Sequence, residues 1–204
     1  MQVKLVYPKI PENSDKFQGK CIAFEKYDGT NLHWKWEPGK GWTHFGTRRT
    51  QFSLDRKGIS GFNSNHTELK NAPDIFNESL RDKLTMHFCQ NSAYHLYNII
   101  VFTEFYGPNS FAGGHEINDE HELVMIDVMI NDRIMAPELF IQTFANFPIA
   151  RVIYKGKYTG QFTEDVRKGK YDVNEGVVCK AKIDNDVLMT KVKTNDYLKR
   201  LKKK

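Results

Sequence analysis

Six stretches of the chain carry the apolar or alternating pattern of β-strands: residues 21–25, 31–36, 99–105, 123–130, 177–182 and 187–193. They are rich in β-branched and aromatic residues and are mostly bounded by Gly, Asn, Asp or Pro. A different period runs through residues 68–88, where Leu69, Ile75, Phe76, Leu80, Leu84 and Phe88 recur at helical spacing, with Pro73 obscuring the start. Pro137 opens a short apolar stretch, 137–147, in the manner of a first-turn proline. Residues 194–203 read as a last helix capped by Thr194 or Asn195, with lysines at its dipole-favoured end. Strands mixed with short helices and many hairpins predict an α+β domain built on antiparallel β-sheets with flanking helices. The glycine-bearing stretch 107–118 is expected to be a mobile loop.

Composition narrows this only a little. At 40% hydrophobic and 13% aromatic, the 204 residues can bury a proper core, which argues against disorder. The opening Met1-Gln2-Val3-Lys4 leads into no apolar run of signal-peptide length, and no stretch approaches a membrane span. Cys21, Cys89 and Cys179 lie far apart without a CxxC pair, so neither a disulfide framework nor a zinc knuckle is expected. A soluble, cytoplasmic protein in a reducing compartment fits, monomeric and without a membrane partner. The net charge is +5. Its distribution says more: Lys191, Lys193, Lys199, Arg200, Lys202, Lys203 and Lys204 crowd the C-terminus, as a polyanion-binding surface or as a solvated helix end.

The candidate chemistry begins at Phe24-Glu25-Lys26-Tyr27-Asp28-Gly29-Thr30-Asn31. A lysine at a strand end before Asp-Gly places an amine where a phosphate could approach, and nearby cations or desolvation can free its lone pair. Alone, KxDG is weak, because Asp-Gly after a strand is ordinarily a hairpin turn. Further blocks follow in order: Thr47-Arg48-Arg49 at a strand end, Glu104 in an apolar strand, Asp127 in the buried-type Leu123-Val124-Met125-Ile126-Asp127-Val128, Glu175-Gly176-Val177-Val178, and Lys191-Val192-Lys193 with both lysines on one strand face. Each has a plain reading as an edge charge, a cap or a solvated lysine. Together they supply a nucleophile, cations and carboxylates, which is what phosphoryl chemistry on a nucleotide needs.

This ordered set resembles the motifs of the covalent nucleotidyltransferase superfamily, which includes polynucleotide ligases and mRNA capping enzymes. The resemblance runs from about Phe24 to Lys193, and Asp28-Gly29-Thr30-Asn31 is most similar to the phage-type and editing-type RNA ligases, because DNA ligases and capping enzymes have arginine where Asn31 stands. It implies an ATP-grasp-like adenylylation domain covering residues 1–204, without an OB-type domain after it. It further implies an ATP-dependent RNA ligase of RNA repair, phage- or virus-encoded, whose substrates are RNA ends or a nicked duplex. Lys26 would attack the α-phosphate of ATP and hold AMP covalently. Glu25 would meet adenine through its backbone, and Glu104 would accept from a ribose hydroxyl. Glu175 would hold Mg²⁺ or Mn²⁺, while Lys191 and Lys193 would neutralise the α-phosphate. Arg48 and Asn31 would contact the AMP phosphate or the RNA 5′-phosphate.

Two features depart from the family pattern. Ile126 stands where RNA ligases carry a base-stacking aromatic, so the purine is expected between aliphatics, Ile126 on one face and Val177 on the other. The chain also stops soon after Lys193, where relatives continue, which points to a catalytic domain alone. Other features have blander readings. His115, Glu116, Glu120, His121 and Glu122 form a polar cluster read as a solvated loop. Trp34, Trp36 and Trp42 could stack on bases or pack a hairpin. Arg56 and Lys57 are expected in a loop. The rival readings are a DNA ligase, a capping-type enzyme, or a silent RNA-binding module on the same fold.

Overall fold

The structure is a computed structural model that describes residues 7–12 and 17–204; the sequence reading of Met1-Gln2-Val3-Lys4 lies outside the described residues. The fold class is the expected one, a mixed α/β chain with antiparallel sheets and flanking helices. In chain order the strands are β1 (Lys20–Lys26), β2 (Thr30–Glu37), β3 (Gly41–Thr47), β4 (Gln51–Ser53), β5 (Ile99–Tyr106), β6 (Glu122–Ile130), β7 (Arg133–Ile134), β8 (Val152–Lys157), β9 (Gly176–Ile183) and β10 (Asp186–Lys193). The helices are α1 (Arg56–Asn65), α2 (Ala72–Phe76), α3 (Asp82–Gln90), α4 (Pro137–Thr143), α5 (Gly160–Arg167) and α6 (Asn195–Leu201). The described residues form two compact units, one of 7, 29–134 and 146–148, the other of 8–12, 17–28, 135–145 and 149–204.

The first unit is built on a six-stranded antiparallel sheet in the order β4-β3-β2-β5-β6-β7. Strand alternation gives it an apolar face, where Trp34 stacks at 3.9 Å on Phe76 and at 5.4 Å on Phe45, and Trp36 meets Trp42 edge-on. The indole N–H of Trp34 donates to Thr103, and that of Trp42 to Thr85. Of the two sequence readings of the tryptophans, hairpin packing is the one realised: all three are buried. The expected helix at 68–88 starts later, at Ala72, because Pro73 lacks an N–H and suits the first turn. A π-helical turn at Asn77–Arg81 then joins α2 to α3. Arg56 and Lys57 are not in a loop. Asp55 caps the helix they open, accepting from the Gly58 N–H at 2.8 Å.

The second face of this sheet mixes polar and apolar side chains. Asn31, His33 and Lys35 alternate along β2, with Phe102 and Glu104 opposite them on β5. His33 is 2% exposed, hydrogen-bonded to the backbone of Thr47 while its Nε2 has no partner. Burial holds its pKa down to about 4, from an ordinary 6.5. The unfolded chain therefore binds a proton that the folded chain refuses, so the neutral imidazole's contribution is intact above pH 6.5 and is lost as the pH falls towards 4. That window carries about 3 kcal/mol. Urea denaturation at pH 7 and pH 4.5 should show much of this loss for the wild type and a clearly smaller one for His33→Phe. Equal losses would assign the acid sensitivity to other groups.

The second unit holds a four-stranded antiparallel sheet in the order β10-β9-β1-β8. One face is apolar: Cys21, Ala23, Val177, Cys179, Ala181 and Val192 pack with Phe17 and with Phe162 and Val166 of α5. Cys21, Cys89 and Cys179 are free thiols. On the other face α4 sets Phe140 against Phe24, with the Lys180 ammonium 4.7 Å from the Phe24 ring centre. Pro137 opens α4 as expected, but the helix stops at Thr143. No helix of the described residues is long and apolar enough to cross a membrane.

Candidate functional site

In the second unit, cross-strand register places Lys26, Gly176 and Lys193 directly opposite one another on β1, β9 and β10. Opposed residues share a face, so the two lysines point the same way with a glycine between them. Glu175, immediately before Gly176, is 3% exposed and fills that gap. Its Oε2 accepts from Lys26 Nζ at 2.8 Å, and its Oε1 lies 3.1 Å from Lys193 Nζ. Three of the expected site residues are thus brought together by one buried carboxylate. Lys191, two residues back on the same face, pairs instead with Glu12 at 3.4 Å.

Gly176 makes this arrangement possible. Its φ of +148° lies in a region that L side chains rarely adopt, and a Cβ there would sit 2.1 Å from the Val192 carbonyl oxygen. The loop before it is held from two directions. Arg151 pairs with Glu25 at 2.9 Å and with Asp172 at 3.5 Å. Thr194, the N-cap of α6, donates its backbone N–H to the Glu175 carbonyl and its hydroxyl to that of Asn174.

One expected nucleotide contact changes in the second unit, and a second is narrowed. Val177 opposes Glu25 and belongs to the apolar face, fully buried among Cys179, Ala181 and Val192. It cannot be the aliphatic wall of a base site. Val178, one residue on, opposes Phe24 and Lys191 on the lysine face, as period-two counting from Gly176 requires. The Glu25 backbone N–H is already committed to the Arg151 carbonyl at 2.8 Å, so that donor is not available to adenine.

Asp-Gly proves not to be a hairpin turn, since β1 pairs with β8 and β9 and not with β2. Gly29 is needed for close approach: a Cβ there would fall 2.3 Å from the Phe105 carbonyl oxygen and 3.0 Å from Glu104 Cγ. Asp28 is buried, and its Oδ1 accepts from the Tyr197 hydroxyl at 2.8 Å.

The first unit carries the remaining expected residues. Asn31 and the half-buried Glu104 are opposed across β2 and β5, and the Asn31 amide reaches the Thr103 carbonyl at 3.4 Å. Ile126 sits at a β-bulge, where the register of β5 against β6 slips by one residue and re-aims its side chain. Asp127 is buried and accepts from the Tyr7 hydroxyl. Burial, and then the Asp127 charge, push the Tyr7 phenol well up, so it stays a donor. Arg48 is exposed in the bend after β3.

The polar cluster at 115–122 is not the solvated loop expected from its composition. His121 is buried, its ring stacked 4.5 Å from that of Phe105 and bonded to Asn71. His115 bonds both Thr30 and Ser110. Glu116, Glu120 and Glu122 remain exposed. Among the described residues no group of three or more His, Cys, Asp or Glu is arranged to hold a metal ion.

No protein-family model matches the chain, and comparison with curated proteins finds no match. Solved structures do match. A Naegleria gruberi RNA ligase mutant with AMP and Mn superposes with a TM-score of 0.59 at 14% identity, over 91% of this chain and 53% of that one. An apo mutant of the same ligase gives 0.57 at 15% identity, over 97% and 60%. An archaeal ATP-dependent RNA ligase gives 0.53 at 16% identity, over 96% and 50%. The chain thus spans between half and three fifths of the length of these structures. At such identity the likeness is one of architecture: the chain shares the fold of these RNA ligases.

Proposed function

We propose that this chain carries out nucleotidyl transfer in an ATP-dependent RNA ligase, with Lys26 as the nucleophile. The observation that carries this reading is the Lys26–Glu175–Lys193 cluster, on a fold shared with RNA ligases. Lys26 Nζ would form a bond to the α-phosphorus of ATP as the bond to pyrophosphate breaks. To attack, the ammonium must first lose a proton to solvent, and Glu175 Oε2 at 2.8 Å holds the nitrogen in place while it does. Lys193, with Lys191 beside it on the strand, would offset the charge growing on the phosphate. AMP would then pass to an RNA 5′-phosphate, to be displaced by a 3′-hydroxyl.

Glu104 is proposed to accept from the ribose, and Arg48 and Asn31 to meet phosphate. In the second unit the aliphatic side chain proposed for the purine is Val178. Mg²⁺ or Mn²⁺ fits the residues present, because such ions keep most of their waters and need only one or two carboxylates beside the substrate phosphates. Glu175 would hold it, and when bound it supplies Lewis-acid stabilisation of the phosphoryl charge.

For RNA, the second unit offers exposed lysines at the far end of the same sheet face. Lys20 and Lys157 are directly opposed, with Lys155 and Lys182 on the same face. Like charges opposed across strands are unfavourable, and a phosphate backbone would relieve them. The test compares nucleotides, ends and salt. ATP should label the chain in preference to GTP or NAD, and RNA ends should be sealed in preference to DNA. Raising salt from 50 to 200 mM should lower joining by about tenfold or more while labelling by ATP falls far less. Preferential labelling by GTP would move the chain to the capping reaction, and equal salt sensitivity of both steps would remove the lysine face from the account.

A further inference from the structure

We infer that Tyr197 is a positioning residue for nucleotidyl transfer, holding the Asp28 carboxylate and the Lys193 ammonium in register from the first turn of α6; this rests on the function proposed above. Three contacts converge on one side chain. The Tyr197 hydroxyl donates to Asp28 Oδ1 at 2.8 Å, two residues beyond the nucleophile. Lys193 Nζ lies 5.1 Å from the centre of its ring, and the Arg200 guanidinium 5.5 Å. The side chain is 2% exposed, so these contacts form where water competes little. Burial, then the charge of Glu175 and the bond to Asp28, push the phenol far above its ordinary range, which keeps the proton on the oxygen and the bond pointing one way.

The backbone of α6 is tied to the same place. Thr194 caps the helix by accepting from the Tyr197 N–H at 3.2 Å, and its own N–H holds the Glu175 carbonyl at 2.9 Å. Arg200, one turn on, reaches the Asn174 side chain. The helix therefore grips the loop that delivers Glu175 and, through Tyr197, the segment that follows Lys26. Lys26, Lys193 and Glu175 hold one another, and Tyr197 couples Asp28 to Lys193 through a single ring.

The test is single-turnover formation of the Lys26–AMP bond, at a temperature where every variant is folded. Tyr197→Phe keeps the ring and removes the hydroxyl. It should slow the step at saturating ATP by about 10- to 100-fold, as misplacement of a reacting group does, with half-saturating ATP within about twofold of wild type. Asp28→Ala should slow it too, and adding Tyr197→Phe to Asp28→Ala should cost less than about twofold more, because both changes break one link. A wild-type rate in Tyr197→Phe would show a residue that only packs, and losses that multiply would show that it does not act through Asp28. A loss seen only in half-saturating ATP would make it a binding group. Each of these overturns the inference while leaving the function standing. A wild-type chain that takes no AMP from any nucleotide overturns both.

Discussion

Incubated with ATP and a divalent cation, the wild-type chain should gain one covalently held AMP, and Lys26→Ala should gain none. The phosphorus–nitrogen bond of a lysyl adenylate is acid-labile, so brief acid treatment should return the original mass. The loss in Lys26→Ala should be one of chemistry and not of folding. Glu175 keeps Lys193 as a partner at 3.1 Å, and Lys26 is itself partly exposed, with 22% of its side chain in contact with solvent. The substitution removes one cation from a carboxylate that retains another, so the melting temperature should move by only a few degrees. Lys26→Arg should also fail, since a guanidinium does not give up its proton and cannot act as the nucleophile. Intact mass spectrometry decides the matter. A wild-type chain left unmodified by ATP, GTP and NAD alike would sink the enzymatic reading, and labelling that survives in Lys26→Ala would assign the nucleophile elsewhere.

Much of this site was legible in the sequence because its parts obey local rules. Lys191 and Lys193 share a face because strand residues alternate, and the structure puts them there. The same rule, applied from Gly176, selects Val178 over Val177, because position in a motif does not say which way a side chain points. Composition misled at His115 and His121. A run of histidines and glutamates reads as solvated, yet Phe105 offers His121 a ring to stack on, from a strand sixteen positions earlier. Arg56 and Lys57 looked like loop residues because the Asp55 cap that starts their helix is a single short-range signal without a capping-box partner. Tyr197 had no signal at all. Its value lies in a hydrogen bond to a residue 169 positions away, and a lone tyrosine on the inner side of a terminal helix reads as core.

Replacing Glu175 should cost the most, because it removes the one carboxylate that two lysines share. In Glu175→Ala the ammonium groups of Lys26 and Lys193 would face each other across Gly176 with no counter-charge between them. Breaking a buried ion pair from one side costs about 3–5 kcal/mol. Here the lysine side chains keep 22% and 17% of their exposure, so the lower end applies, about 3 kcal/mol. Glu175→Gln should fall between, since the amide still accepts hydrogen bonds but brings no charge. Labelling by ATP should be lost in Glu175→Ala, for want of the group that positions Lys26 and holds the metal. Stability and chemistry can then be separated. Adding Lys193→Met to Glu175→Met removes the repulsion and fills the space with apolar volume, which should recover a large part of the lost stability, as replacing a buried ion cluster with hydrophobic residues does elsewhere. It should recover none of the labelling. Urea denaturation and intact mass on the same samples read both quantities. Glu175→Ala at wild-type stability would mean that the cluster is not what orders this end of the sheet, and labelling restored in the double variant would show that neither Glu175 nor Lys193 serves the transfer.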